Sequence, residues 1–208
     1  MRTFEFDCSF LRSYRYIVLD FDGTLVDSIP AKNAALQTAV SSVLPLTSGI
    51  VEYISATTHL TRIERLKGIM KIAGETSPQS FEDTRVALDK ALLGVYDQVQ
   101  KSAQLISFIQ TAHATSKIYI VSAAPEDDLN LWISRNLLYE KINQVIGAPR
   151  DKSEALSEII RKEAGPGTEG IIYVGDTEYD RELAMRINID FMWSEFCTAD
   201  KVSDMRKG

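Results

Sequence analysis

The chain has 208 residues, and its 23 Lys and Arg against 29 Asp and Glu give a formal net charge of −6. Its apolar fraction of 45% and charged fraction of 25% are ordinary for a globular protein and argue against a disordered chain. The acidic balance and the absence of a basic stripe argue against a nucleic-acid binder. No apolar run reaches the roughly 20 residues that a transmembrane helix needs.

The two cysteines, Cys8 and Cys197, lie near opposite ends of the chain and show no CxxC spacing. This arrangement contains neither a metal-binding nor a redox motif, and a single pair is not a disulfide framework. Glu5 and Asp7 fall where a signal peptide would have its apolar segment, so we expect no secretion signal. The reducing cytoplasm is therefore the expected location.

Five short apolar segments have the composition of strands that are buried on both faces of a parallel sheet. They are Tyr16–Asp20, Ile118–Val121, Ile142–Ile146, Ile171–Val174 and Phe191–Trp193. Helical patterns separate most of them, for example the apolar face formed by Leu129, Trp132 and Ile133. Strands that alternate with helices predict an α/β fold with a parallel sheet and right-handed crossovers.

Residues 28–98 break this alternation, because they show helical periodicity only. The clearest apolar stripe of this stretch consists of Phe81, Leu88, Leu92 and Val95, and it continues to Val99 just past its end. Ser77 or Ser80 is a candidate cap for the helix that carries this stripe. We therefore predict a small helical domain at residues 28–98, inserted into an α/β core of residues 1–27 and 99–208. Within that core, Gly165, Pro166 and Gly167 have the composition of a turn.

Four motifs directly follow predicted strands, at the edge of an open α/β sheet where ligands bind. In the first motif, Asp20 and Asp22 precede a glycine, Gly23. An acidic turn accounts for Asp22 and Gly23. It does not account for Asp20, because an unpaired charge beside a buried strand is costly. A bound cation or a reaction on phosphate would explain this residue.

The second and third motifs consist of single residues, Ser122 after one strand and Lys152 after the next. A hydroxyl together with backbone N–H groups at the start of a helix can hold an anion. Alternatively, Ser122 only opens the next helix. Lys152 has the alternative of a solvated surface position, the usual one for lysine, and Arg150 is a neighbouring cation.

The fourth motif places Asp176 and Asp180 after the strand Ile171–Val174. If a helix begins near Thr177, both carboxylates can face one point beyond the strand. Ligands that are all oxygen suit Mg²⁺. The alternative is that Asp176 caps the helix and that the helix dipole favours Asp180.

In this order, the four motifs resemble those of the haloacid dehalogenase (HAD) superfamily, over nearly the whole chain from Tyr16 to Trp193. Residues 20–28 match the long form of its first motif, DxDGTLxDS, at every position. The place of the helical insertion is similar to the C1 cap of phosphoglycolate-phosphatase-like members. The chain departs from that subfamily after Asp180, where the frequent Ala-Gly helix ending is replaced by Met185–Ile189.

The resemblance implies a Rossmann-like core, with a helical C1 cap inserted after the first strand, that hydrolyses a small phosphorylated metabolite. The reaction would pass through an aspartyl-phosphate, with Asp20 as nucleophile and Asp22 as general acid and base. The implied cofactor is Mg²⁺, and the implied metal ligands are Asp20, Asp22 through its backbone carbonyl, Asp176 and Asp180.

The resemblance also implies a phosphate-binding set in the core, made of Ser122, Ala123 and Lys152. In the cap, a basic segment is similar to a cap loop of some phosphatase-like members. Its candidate contacts to an anionic group of the substrate are His59, Arg62 and Arg65. A solvated polar helix face accounts for these three residues equally well.

Other activities share parts of this pattern. A sugar-phosphate mutase of the β-phosphoglucomutase type carries all four motifs, and a phosphonatase would use a cap lysine, for which Lys32 and Lys67 are available. A dehalogenase has no need of the acid at Asp22. In a different class, a non-catalytic domain of the same fold would bind a phosphorylated ligand or a partner protein. The sequence leaves the substrate and the oligomeric state open.

Overall fold

A computed structural model describes residues 1–112, 114–163 and 169–197 of the chain. The predicted turn at Gly165, Pro166 and Gly167 lies outside these residues. The chain divides into two compact units, one being Ser28–Gln100 and the other Met1–Asp27 with the described residues from Lys101 onward. Within the described ranges, no helix has both the length and the apolar composition to cross a lipid bilayer.

The larger unit contains a six-stranded sheet in which every pair of neighbouring strands is parallel. Its strands are β1 (Thr3–Phe4), β2 (Tyr16–Leu19), β3 (Lys117–Pro125), β4 (Gln144–Ala148), β5 (Ile171–Gly175) and β6 (Asp190–Trp193). Their order across the sheet is β1-β6-β5-β2-β3-β4, so β2 lies in the interior between β5 and β3. The predicted α/β fold with a parallel, Rossmann-like sheet is confirmed.

Nine α-helices are found in the described residues. Those of the smaller unit are α1 (Ile29–Ser41), α2 (Ser48–Ala56), α3 (Arg62–Ala73), α4 (Pro78–Leu92) and α5 (Val95–Gln98). Those of the larger unit are α6 (Ala103–Ala112), α7 (Glu126–Arg135), α8 (Lys152–Glu163) and α9 (Glu178–Arg186). Short 3₁₀ segments lie at Phe10–Ser13 and Tyr139–Lys141.

The middle strands are apolar at every position because both faces of the sheet are covered. All four residues of β2 and all five of β5 are buried. On one face, Val18 and Tyr173 join a core cluster with Leu156 of α8 and Leu183 of α9. Burial on both faces explains why these strands appear in the sequence as uninterrupted apolar runs.

Strand β1 is missing from the sequence-based prediction, which starts the sheet at Tyr16. Two residues, Thr3 and Phe4, are too few to show a periodic pattern. The strand is held instead by contacts around Arg2. Its backbone N–H donates to Asp190 Oδ1 at 2.7 Å, and its carbonyl accepts from Phe191 at 2.9 Å. In chain order, the helical unit therefore follows the second strand of the sheet and not the first.

The smaller unit is helical and has its own core. Leu36 and Val40 of α1 pack in one buried cluster with residues of α2, α3 and α4. Three of its helices, α2, α3 and α4, begin after a residue whose side chain accepts a backbone N–H of the first turn. Ser77 Oγ accepts from the backbone N–H of Ser80 at 3.3 Å, so Ser77 is the residue that caps α4.

We expect the replacement of Asp190 with asparagine to lower the free energy of unfolding by about 1 kcal/mol at neutral pH. Arg2 and Tyr14 donate to Asp190 Oδ2, each at 2.7 Å. Although burial favours the neutral acid, these bonds hold the pKa of Asp190 below its ordinary value. The stabilisation is therefore fully present above the pKa of the unfolded chain and is lost as the pH falls through the lower, folded pKa.

Urea unfolding of wild type and Asp190→Asn at a series of pH values measures this effect. The difference between the two proteins should shrink from about pH 5 toward about pH 3. Glu52→Gln is the control, because it removes an exposed carboxylate of α2. A difference that stays constant with pH would contradict the assignment.

Candidate active site

The carboxyl end of β2 brings Asp20 to the middle of the sheet edge. Its backbone N–H donates to the carbonyl of Val174 at 2.9 Å, which continues the β2–β5 ladder by one residue. Asp20 is buried, and its Oδ1 accepts from the N–H of Phe21 at 2.7 Å. Strands β3 and β5 are parallel to β2 and also end at this edge, so the loops that follow them begin beside Asp20.

Lys152, the first residue of α8, joins two of the acidic residues. Its Nζ lies 3.1 Å from Asp20 Oδ2 and 2.9 Å from Asp180 Oδ1. With an exposure of only 7%, Lys152 does not occupy the solvated surface position that was its alternative. Arg150, by contrast, forms an ion pair with Glu158 at the surface of the same unit.

Asp180 is completely buried, and both of its carboxylate oxygens accept hydrogen bonds from protein groups. Oδ1 accepts from Lys152 and from Tyr173 Oη at 2.7 Å. Oδ2 accepts from the backbone N–H and, at 2.6 Å, the hydroxyl of Thr177. The N-terminal cap of α9 is therefore Thr177 and not Asp176. This arrangement uses Asp180 to fix the position of the Lys152 ammonium group.

Asp176 differs from Asp180, because one of its carboxylate oxygens accepts no hydrogen bond from the described residues. Its Oδ1 atom is buried, and no donor in the described ranges reaches it. One oxygen atom from each of Asp20, Asp176 and Asp180 lies within 4.8 Å of the others, a spacing that can accommodate a metal ion. An unsatisfied buried carboxylate oxygen beside a second carboxylate is what a hard divalent cation requires. The residues present therefore fit a bound Mg²⁺.

The electrostatic environment has an excess of negative charge. Burial, followed by the charges of Asp180 and Asp22, raises the pKa of Asp20 to about 7, although Lys152 opposes the shift. Burial and the nearby Asp20 and Asp180 raise the pKa of Asp176 well above its ordinary value. Burial disfavours the ammonium form of Lys152, but the two carboxylates outweigh it and raise its pKa. A cation bound among these groups would stabilise the ionised forms of Asp20 and Asp176.

Gly23 allows the loop after β2 to approach Asp176. It has a φ of +74°, and a Cβ atom added there would lie 2.2 Å from Asp176 Oδ2. Its carbonyl accepts from the Ser194 hydroxyl at 2.6 Å, and Ser194 also donates its N–H to Gly175 at 2.8 Å. Glycine is therefore required at position 23 for both its backbone conformation and its lack of a side chain.

Ser122 lies inside β3, because this strand continues to Pro125 and α7 starts only at Glu126. Ser122 therefore does not open the next helix, which was its alternative. The β3–β4 register breaks between Val121 and Pro125, so Ser122 and Ala123 lie in an irregular stretch of the strand. Leu19 is paired with Ile120, which places this stretch just past the level of Asp20.

His59, Arg62 and Arg65, the candidates for substrate contact, lie in the helical unit. Both arginines form polar contacts with other residues of that unit. Arg65 is buried and donates to Asn33 Oδ1 at 2.7 Å and to the carbonyl of Ile54 at 2.6 Å. Arg62 forms an ion pair with Asp89 at 2.7 Å. His59 lies, half-buried, in the turn before α3. Arg65 of α3 therefore connects α1 and α2 through hydrogen bonds, as a structural residue would.

Sequence reasoning missed two groups that shape this site, Tyr173 and Ser194. Tyr173 sits on β5 among apolar neighbours, and nothing in a strand pattern shows that its hydroxyl reaches Asp180. Ser194 could have been found, because it is a polar residue directly after β6 and so lies at the same sheet edge as the four motifs.

A model of the haloacid dehalogenase-like hydrolase family matches residues 17–194. The chain belongs to this family. The match begins within β2 and spans strands β3–β6, the four motifs and the helical unit, and it leaves out β1. Among curated proteins, no sequence matches this chain.

Solved structures of low sequence identity share the fold of this HAD-like chain. A Haemophilus somnus protein described as a predicted phosphoglycolate phosphatase has a TM-score of 0.70 and 16% identity, with 92% of this chain and 98% of that one covered. A candidate haloacid dehalogenase-like hydrolase from Bacteroides fragilis has a TM-score of 0.71 and 18% identity over 92% and 93%. The Mycobacterium tuberculosis protein tyrosine kinase A has a TM-score of 0.64 and 18% identity over 88% and 85%.

We expect Gly23→Ala to lower the stability of the protein by more than backbone strain at a positive φ would lower it. The new Cβ would overlap the Asp176 carboxylate, at 2.2 Å from Oδ2. Gly74→Ala is the matched control, because Gly74 has a similar φ of +68° with nothing within 4 Å of an added Cβ. The control should lose about 1 kcal/mol of stability.

Thermal unfolding with and without Mg²⁺ separates the two effects. Gly23→Ala should lose more stability than Gly74→Ala and should also lose any stabilisation by Mg²⁺, which the control keeps. Equal losses in the two variants would show that the close approach of Gly23 to Asp176 has no role in the site.

Proposed function

We propose that this HAD-like hydrolase cleaves a small phosphate monoester through a phosphoryl group held covalently on Asp20. The observation that carries the proposal is the buried Lys152 ammonium group, 3.1 Å from Asp20 and 2.9 Å from Asp180. A buried lysine shared by two carboxylates is costly to maintain. Its position at the carboxyl edge of the sheet suits the binding of an anion that reacts with Asp20.

The proposed reaction has two displacements at phosphorus. Asp20 attacks the phosphorus atom, forming a phosphorus–oxygen bond while the bond to the ester oxygen breaks. Asp22 donates a proton to the departing oxygen. Asp22 then takes a proton from a water molecule, which attacks the same phosphorus atom and restores Asp20 with release of inorganic phosphate. One residue serves both proton transfers because the second step reverses the direction of the first.

The chain also carries groups suited to hold the phosphate during these steps. Lys152 is proposed to neutralise one oxygen, and Ser122 with the backbone N–H of Ala123 to bind another. The bonds that Asp180 accepts from Tyr173 and Thr177 restrict its movement, so Lys152 is pre-positioned before substrate binds. Fixed charges in a buried site stabilise developing charge without reorganisation.

We propose Asp20, Asp176 and the backbone carbonyl of Asp22 as the ligands of Mg²⁺. The unsatisfied Oδ1 of Asp176 supports this set. Asp180, a ligand candidate on sequence grounds, is now proposed to orient Lys152, because each of its oxygens already accepts two hydrogen bonds. When bound, the metal supplies positive charge that offsets the repulsion between a carboxylate and a phosphate dianion.

The helical unit, predicted from the sequence at residues 28–98 and found at Ser28–Gln100, is the proposed cap and would supply substrate selectivity. His59 and Arg62 remain candidates for contact with the substrate, while the buried contacts of Arg65 favour a structural role for that residue. Phosphoglycolate is the first compound to test, because a protein of similar fold is described as a predicted phosphoglycolate phosphatase. Hexose phosphates, nucleotides and cofactor phosphates complete the panel. Transfer of phosphate between sugar positions without its release would indicate a mutase.

We expect Asp20→Asn to lose phosphatase activity and to remain folded. An amide cannot attack phosphorus as a carboxylate does. In metal-free buffer at neutral pH, the free energy of unfolding of Asp20→Asn should be no lower than that of wild type. The pKa of Asp20 in the fold, about 7, lies above that of the unfolded chain, so ionised Asp20 costs stability as the pH rises. Phosphate release and thermal unfolding measure the two effects.

Mass spectrometry after acid quenching distinguishes a nucleophile from a binding residue. Wild type should carry one phosphoryl group on the peptide that contains Asp20, and Asp20→Asn should carry none. Glu52→Gln, which removes an exposed carboxylate of α2, should behave as wild type. Wild-type turnover by Asp20→Asn would end the assignment.

We expect Mg²⁺ to raise the melting temperature of wild type but not of Asp176→Asn. A ligand that binds only the folded state stabilises it by mass action. In EDTA, Asp176→Asn should be at least as stable as wild type, because burial raises the pKa of Asp176 and asparagine removes the charge. An equal shift with Mg²⁺ in both proteins would place the metal elsewhere.

A further inference from the structure

The outer face of α7 carries an acidic, an apolar and a basic residue at equal spacing. These are Asp127, Leu131 and Arg135, all exposed, with Leu131 at 53%. Residues four apart lie on the same face of a helix. Asp127 and Arg135 therefore lie at equal distances, about 6 Å along the helix axis, on opposite sides of Leu131.

The chain leaves α7 through a residue that is both strained and exposed. Leu137 has a φ of +56° and is 84% exposed. The backbone N–H of Leu138 donates to the carbonyl of Ile133 at 3.1 Å. This is the hydrogen bond of a Schellman motif, in which a right-handed α-helix ends at a residue in the left-handed conformation. Glycine or asparagine usually occupies this position, since leucine is strained there. Tyr139, two residues later, is also exposed.

A cavity of about 250 Å³ lies beside this face. Its wall includes Glu126, Asn130 and Ile133 of α7, together with Tyr139 and residues at the start of β4. This volume is below the roughly 300–1,000 Å³ of small-molecule sites. The cavity is better matched to an inserted side chain than to a metabolite.

We infer that this face is a twofold interface between two copies of the chain. An axis through Leu131 with the two α7 helices antiparallel brings Asp127 of each copy opposite Arg135 of the other, and Leu131 onto Leu131. Leu137 lies six residues beyond the axis, so it meets the partner near Glu126, at the end of the helix that lines the cavity. A symmetric contact requires a self-complementary surface of this kind.

The exposed leucines placed between and beyond these charges select a second copy as the occupant. The helix dipole accounts for an acidic first turn and a basic last turn. It does not account for an exposed leucine midway between Asp127 and Arg135, nor for a second leucine in a strained conformation. Single exposed apolar residues are common, but here two leucines and Tyr139 lie within nine residues of one another beside a cavity.

Sedimentation velocity of the full chain over a range of concentrations tests the inference. We expect a monomer of 23.3 kDa to give way to a dimer as the concentration rises. Asp127→Arg and Arg135→Asp should each weaken the dimer by about tenfold or more, because each change places like charges opposite one another at two symmetric positions. The double variant should recover the dimer, since every pair is again of opposite charge.

Two further variants keep the test decisive if the double reversal destabilises α7. Leu131→Lys places two lysines together on the axis and should abolish the dimer. Leu137→Gly should raise the melting temperature of the dilute monomer, by relieving strain, and yet weaken the dimer. Leu93→Gly is the control, because Leu93 is 77% exposed in the helical unit and should leave the dimer unchanged.

A chain that stays monomeric at all concentrations would overturn the inference. A dimer that survives Leu131→Lys would assign the contact to another surface and would overturn it equally. The measurement does not depend on the proposed function, because it needs neither substrate nor metal.

Discussion

The contact of one ammonium group with two buried carboxylates organises the larger unit around its sheet edge. Lys152 comes from the start of α8, Asp20 from the end of β2 and Asp180 from the first turn of α9. Removing the ammonium group would leave two buried carboxylates uncompensated, which costs several kcal/mol. The three elements are therefore held in register by charge as well as by the apolar contacts beneath them.

This constraint explains why the acidic residues are not equivalent. Asp180 uses both oxygens within the protein, whereas Asp176 keeps a buried oxygen that no donor in the described part of the chain satisfies. Asp20 is intermediate between Asp180 and Asp176. It forms an ion pair with Lys152 and accepts a hydrogen bond from the N–H of Phe21, and it also lies close to the other acidic residues. A division of labour among carboxylates thus follows from their hydrogen bonds, and net charge alone would not reveal it.

Much of the fold could be predicted from the sequence, because buried parallel strands appear as apolar runs and each motif directly follows such a run. Parallel strands then bring residues as distant in sequence as Asp20 and Asp176 to one edge. Other features depend on contacts that no local pattern encodes. Strand β1 is two residues long, and the hydroxyl of Tyr173 reaches Asp180 from the middle of an apolar strand. The roles proposed for the motif residues remain predictions.

Strand β6 connects the first residues of the chain with the loop beneath Asp176. Asp190 at one end of the strand binds Arg2, and Ser194, just past its other end, holds the carbonyl of Gly23. A fusion tag or truncation near Met1 would thus disturb the strand whose far end supports that loop. Versions of the protein with tags at opposite ends are expected to differ in the stability of this loop, even though the first residues lie outside the acidic cluster.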